Sequence, residues 1–221
     1  HWLTNMINCN ATADAILKIA EHPDVEAILY NKKEKLLYNE APQSESIDKV
    51  TALATYNGTN VEKINAHKVW DLGYTGKGVI VAVIDSGVNT NHEDLADHLW
   101  DDGNGHHGIN TLVGQVDGYT DQYDVSDDNG HGTHCAGTVC GDGTSELITG
   151  MAPDATLMVI KALGGEKGEG TFESLVNAVE YAVEKGIKYL SVFAFSEENW
   201  DRPVAEIEGL MQLMLKAITM E

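Results

Sequence analysis

The sequence predicts an α/β chain, a parallel doubly wound sheet behind a small α+β unit. Three observations carry this. Val79 to Ile84 is a continuous apolar, mostly β-branched run, the pattern of a parallel strand covered on both faces. Ala155 to Leu163 repeats the pattern, and Lys188 to Phe195 is a third such segment. Between the last two, Phe172, Leu175, Val176, Val179, Ala182 and Val183 fall on one helical face. Strands alternating with helices imply parallel pairing.

In chain order, His1 to Asn8 is expected as a strand. Thr12 is expected to cap a helix through Ile16, Ile19 and Ala20, stopped by His22-Pro23. Val25 to Tyr30 reads as a second strand, and residues 1–41 thus form the α+β unit. Residues 42–60 are polar, with Gln43, Ser44, Ser46 and Asn57-Gly58, and read as a linker. Residues 61–186 hold the main sheet. Gly186 ends the helix that starts at Phe172. Residues 187–221 add the third strand and a helix from Pro203, whose stripe is Ile207, Leu210, Met211, Met214 and Ile218.

The 221 residues carry a net charge of −21. A nucleic-acid binder needs a basic surface to displace counterions, so the charge argues against nucleic acid as a partner. The same charge disfavours adsorption to anionic membranes. The longest clean apolar run is Val79 to Ile84, far short of the ~20 residues of a membrane span. The chain opens on His1 rather than Met and shows no signal sequence, so a missing true N-terminus is expected. Cys9, Cys135 and Cys140 cannot all pair, and no C-x-x-C suggests zinc. Gly164-Gly165 and Gly168 to Gly170 fit neither G-x-G-x-x-G nor a P-loop, so no nucleotide is implied. Oligomeric state is not readable.

In doubly wound sheets, sites gather at the carboxyl ends of strands. Asp85 stands at one such end, in Ile84-Asp85-Ser86-Gly87. His131 follows 46 residues later in Asp127-Asp-Asn-Gly-His131-Gly-Thr-His134-Cys-Ala-Gly-Thr138, at the expected start of a helix. A carboxylate that orients an imidazole base is two parts of a nucleophile–base–orienter set. The small residues around His131 allow that helix to pack tightly on the strand.

V-I-D-S-G-V, D-N-G-H-G-T-H-C-A-G-T and G-M-A-P-D-A together resemble the subtilisin-like serine proteases, the subtilases. The order, Asp then His, is also the subtilisin order. The resemblance implies a subtilisin-like sheet, here truncated. It implies that Asp85 is the orienting acid and His131 the general base of peptide-bond hydrolysis through a serine, a chemistry without metal. It implies that Gly168, Glu169 and Gly170 form an edge pairing with the backbone of a polypeptide substrate. Residues 1–39 resemble the later part of a subtilase propeptide, so a propeptide remnant and secretion or a cell-envelope location are implied. Many subtilases bind structural calcium. Asp94, Asp101, Asp102, Asp121, Asp124, Asp127 and Asp128 are candidates, but EF-hand spacing fails and a solvated surface is the expectation. His134, at i+3 from His131, and Cys135, at i+4, read as packed residues. His106-His107 reads as a solvated loop.

The family's serine segment, of G-T-S-M-A type, has no counterpart after the third strand. Gly143-Thr144-Ser145 lies seven residues after Thr138 and continues Glu-Leu-Ile. The oxyanion side-chain amide is absent too, so this chain alone is expected to be inactive. From Gly186 a different resemblance begins. Phe195-Ser196-Glu-Glu198-Asn199-Trp200-Asp-Arg202-Pro203 resembles the F-S-x-E-N-W-x-R-P hallmark of the cis-prenyltransferases, the undecaprenyl diphosphate synthases. That alternative implies prenyl transfer on a diphosphate with Mg²⁺, using Ser196, Asn199, Trp200 and Arg202. Its catalytic aspartate motif is absent. A chimera joined near Lys185 to Ile187, or a non-catalytic remnant, is the resulting expectation.

Overall fold

The computed structural model describes residues 7–31, 33–35 and 57–192, with 207, 208 and 211 besides. The chain divides into two compact units, residues 1–187 and 188–221.

In the first unit, helix α1 (Ala13–Ala20) is capped by Thr12, whose hydroxyl accepts from the Ala15 N–H, and it buries no residue. The strand expected at Val25 to Tyr30 does not form: Leu29 and Tyr30 are exposed and make no ladder. β-propensity specifies a fit to a pleated neighbour, and among the described residues none pairs with it. Of the strand expected at 1–8, residues 1–6 lie outside the described ones, and Ile7 and Asn8 are not in a strand. A three-residue strand, β1 (Lys33–Lys35), stands instead. Most of the expected linker lies outside the described residues. Its end is structured: Asn57 bridges to Ile148, and α2 (Thr59–Ile64) begins within it. Helix α3 (Ala66–Trp70) follows after the left-handed Asn65.

The main sheet is parallel, in the order β2-β4-β3. Strand β2 is Ile80–Asp85, β3 is Gly108–Asn110 and β4 is Thr156–Lys161. Central β4 pairs in register with β2 from Ile80 opposite Thr156 to Asp85 opposite Lys161. Helices cover both faces, α4 (His131–Cys140) and α5 (Phe172–Glu184). The alternation of β4 sorts its side chains between them. Leu157 and Val159 join Ala136 and Cys140 of α4 in one core, while Met158 and Ile160 join Ala178 and Ala182 of α5 in the other. Full burial of such side chains contributes ~1.5–3 kcal/mol each. The fold class is therefore α/β with both sheet faces covered.

Helix α5 starts at a capping box between Thr171 and Ser174 and ends before Gly186, at φ +90°. The third strand, expected from Lys188 to Phe195, is not seen over residues 188–192, where Tyr189, Leu190 and Val192 are exposed. An apolar run becomes a strand only with a ladder to join. Residues 193–195, and the motif residues Ser196, Asn199, Trp200 and Arg202, lie outside the described ones. So does most of the expected helix after Pro203, although Ile207, Glu208 and Met211 are helical.

Candidate active site

Strand β2 delivers Asp85 to the carboxyl end of the sheet, buried, and α4 begins at His131. Nδ1 of His131 lies 2.8 Å from Oδ1 and 2.9 Å from Oδ2 of Asp85. The carboxylate thus accepts from an Nδ1–H, which leaves Nε2 as the basic nitrogen. Asp85 is held in turn by the Ser86 N–H, at 2.7 Å from Oδ1.

The approach of helix to strand depends on glycine. A Cβ on Gly132 would stand 2.0 Å from the carbonyl oxygen of Gly87. Hydrogen bonds then lock the contact. The Gly132 N–H donates to Ser86 Oγ at 2.9 Å, and that hydroxyl donates to Asp127 at 2.8 Å. Asp127 also accepts from the N–H groups of Asn129, Gly130 and Thr133 and from the Thr133 hydroxyl, so it caps α4 from four residues before His131. Burial opposes the Asp127 charge, but donors from Thr133, Gly130 and Asn129 outweigh it and hold the carboxyl below its ordinary range.

Sequence reasoning missed three supporting residues. Asp127 was expected on a solvated surface and is instead this cap. Asn129 donates from Nδ2 to the carbonyls of Gly165 and Glu166, tying the histidine loop to the loop before β5 (Glu169–Thr171). Lys161, at the end of β4, is 2% exposed, and its Nζ donates to Ser86 O at 2.5 Å and to Asp128 at 2.8 Å. Asp128 also accepts from Tyr119 and from the Gly165 N–H, and its carboxyl is lowered: burial opposes the charge and Lys161 more than offsets it.

Other aspartates of the expected solvated surface are turn acceptors too. Asp94 is buried and takes both the N–H and the hydroxyl of Ser145. Asp101, Asp102, Asp121 and Asp124 bond N–H groups two residues on. The expected solvated histidines are ordered: His106 stacks on Tyr123 with ring centroids 3.7 Å apart and bonds Asp102, and His107 bonds Trp100 O. His134 is exposed rather than packed. Cys135 is half-buried, 3.6 Å from His131 Nδ1, and desolvation and then the Asp85 charge push its thiol up to about 11. It therefore stays protonated at neutral pH.

Gly168, Glu169 and Gly170 lie at and just before β5. Gly164 and Glu169 exchange two backbone hydrogen bonds, and a Cβ on Gly170 would stand 2.3 Å from Ala162 O. The outer edge of β5 is taken by the chain's own β1, antiparallel, with Lys33 opposite Thr171, Glu34 opposite Gly170 and Lys35 opposite Glu169. Among the described residues no serine hydroxyl bonds His131. Those of Ser86 and Ser145 are given to Asp127 and Asp94.

Residues 76–201 match the Subtilase family. The chain belongs to that family. A subtilase from Bacillus subtilis (strain 168), the major intracellular serine protease, is 37% identical over 132 residues, covering 60% of this chain and 39% of its own length. The minor extracellular protease Vpr of the same organism is 35% identical over 195 residues, covering 81% of this chain and 21% of its own length. Thermitase of Thermoactinomyces vulgaris is 33% identical over 132 residues, covering 59% of this chain and 42% of that one. The chain thus spans less than half the length of these relatives. The subtilase match also runs through the junction expected near Lys185 to Ile187 and into the prenyltransferase-like segment, so the chimera finds no support there.

Proposed function

We propose that this subtilase chain carries the acid and base of a serine endopeptidase. Asp85 orients His131, and His131 Nε2 takes the proton of an attacking serine hydroxyl and later returns it to the leaving amine. The observation that carries the reading is the two-oxygen grip of Asp85 on His131 Nδ1, at 2.8 and 2.9 Å, which holds the tautomer a general base needs. The substrate is a polypeptide. Its backbone adds to the β5 edge at Gly168, Glu169 and Gly170 in the manner of β-augmentation. The antiparallel lie of Lys33–Lys35 on that edge supports this role and supports reading the N-terminal residues as a propeptide that blocks the site. Removal of residues 1–41 would then open the edge. The names of relatives divide between intracellular and extracellular proteases, and secretion is part of the proposal on the strength of the latter.

The chain as it stands holds no serine poised on His131 among its described residues, and no G-T-S-M-A-type segment after it. The proposal therefore expects no activity from this chain alone. Structural calcium is left as an expectation of the family. Prenyl transfer with Mg²⁺ rests on residues 195–203 alone, and we do not adopt it. The test is a fluorophosphonate label, which needs an activated serine, applied to this chain and to the product of the whole open reading frame. The chain should remain unlabelled and leave casein intact. The whole product should label, and lose the label with His131→Ala. Labelling of the whole product that survives His131→Ala would overturn the assignment.

A further inference from the structure

Asp97, His98 and Asp142 meet at the end of α4 opposite His131, ~15 Å along the axis for ten residues at ~1.5 Å each. The His98 side chain is 11% exposed, and its buried Nε2 makes no hydrogen bond of ordinary geometry, only ion-pair contacts to two carboxylates. A buried polar atom left so costs its desolvation, and native structures rarely tolerate it. The atoms facing Nε2 are Asp97 Oδ1 at 3.4 Å and Asp142 Oδ2 at 3.5 Å. All three lie within 4.8 Å of one another. Hydrogen-bonded pairs stand ~2.7–3.2 Å apart. Donors that share one tetrahedral ion at ~2.0–2.2 Å stand ~3.3–3.6 Å apart. The His98 separations fit the second spacing and exceed the first.

We propose that Asp97, His98 and Asp142 bind a divalent cation of the zinc class, with water in the fourth position. Two carboxylates neutralise the ion's charge, and one imidazole suits a borderline-soft metal. The donors are pre-set. Asp142 takes the Thr144 N–H on Oδ1 at 2.9 Å and the Thr144 hydroxyl on Oδ2 at 2.8 Å, an outer shell that orients the carboxylate. His98 is pinned to the sheet, because its carbonyl accepts from the Leu157 N–H of β4 at 2.8 Å. Asp97 is 70% exposed and opens the site to solvent. The bound ion ties the turn before Leu99 to the loop after α4, and so stabilises the folded chain by mass action.

Asp85, His131 and Cys135 form a rival donor cluster, so the test separates the two. The full chain is stripped with chelator and dialysed against zinc, and the cobalt form is followed by visible absorption. One zinc per chain is expected in the parent and in His131→Ala. Asp97→Asn, on a side chain 70% exposed, should weaken binding by more than about tenfold, as even outer-shell changes do. His98→Gln should do the same, and the cobalt form should lack a thiolate charge-transfer band. Undiminished zinc in Asp97→Asn, loss of zinc in His131→Ala, a thiolate band, or no zinc bound by the parent would each overturn the proposal.

Discussion

Adding one methyl group at Gly132 should cost more than its size suggests. The new Cβ would sit 2.0 Å from Gly87 O and 3.1 Å from Gly87 N and C, all backbone atoms that no rotamer change can move. Ordinary contact needs ~3.5 Å, so the start of α4 must retreat by over ~1 Å. That retreat pulls the Gly132 N–H from Ser86 Oγ, now 2.9 Å away and buried. Overpacking costs about 1–3 kcal/mol. The lost hydrogen bond adds about 1 kcal/mol, and the better helix propensity of alanine offsets about as much. The net of about 1–3 kcal/mol lowers Tm by about 2–12 °C in a chain of this size. Gly137→Ala, five positions on in the same helix, is the control. Its Cβ would meet nothing nearer than Thr149 Oγ1 at 4.0 Å, so propensity alone acts and Tm should hold or rise. Both variants are compared with the parent by thermal and urea unfolding followed by circular dichroism. Gly132→Ala melting at or above the parent, or both variants shifting alike, would refute the close packing that aims His131 at Asp85.

Two further outcomes are expected. Asp127 is held below its ordinary value near 3.8 in the fold, so the unfolded chain binds more protons in that window. Its stabilisation is present above about pH 4 and is lost as pH falls through the folded pKa, so Asp127→Asn should lower Tm at neutral pH and flatten its acid limb; an acid limb as steep as the parent's counts against the cap. Asp128 is 40% exposed on its side chain whereas Lys161 is 2% exposed, so the two ends of that pair are not equivalent. Asp128→Ala takes the carboxylate from a buried ammonium that keeps only its hydrogen bond to Ser86 O, and should cost about 1.5–3 kcal/mol in urea unfolding, while Lys161→Met leaves a carboxylate that water can reach and should cost less; the reverse order would show that the lysine is not held as described.

The elements that were legible in the sequence are those whose burial is regular. Strands β2 and β4 are unbroken apolar runs because helices cover both faces, and α5 shows its apolar stripe between a capping threonine and a terminating glycine. Strand β3 was not legible. It is three residues long, opens on Gly108, and forms only because β4 offers a ladder, with Gly108 opposite Val159. The converse error, at Val25 to Tyr30 and at Lys188 to Val192, has the same origin. A strand is a relation between two segments, and apolar composition states only half of it. The resemblance offered Gly168 to Gly170 as an edge for substrate; the segment that pairs with Glu169–Thr171 is Lys33–Lys35, which is charged and has no strand pattern, so nothing local marked it.

At the candidate site, the meeting of Asp85 with His131 could be read because motif and order placed them together. Their supports could not, for a different reason. Seven aspartates were candidates for the same solvated surface, and an aspartate that caps a helix looks like one that faces water until the fold brings its donors. Asn129 reaches carbonyls 36 and 37 positions away, and Ser86 answers a lysine 75 positions on. Lys161 is the exception, because its place in the strand pattern marks it. It follows Leu157-Met-Val-Ile160 at the carboxyl end of a strand covered on both faces, so its ammonium had to be buried or to end beside the site. A buried cation must be paired. The Asp127-Asp128 stretch, expected on the solvated surface, holds its partner: Asp128, at 2.8 Å. The positive charge thus lies behind the strand ends that carry Asp85. It holds Ser86 O on one side and the loop of Asn129 on the other, which fixes the frame in which Asp85 meets His131.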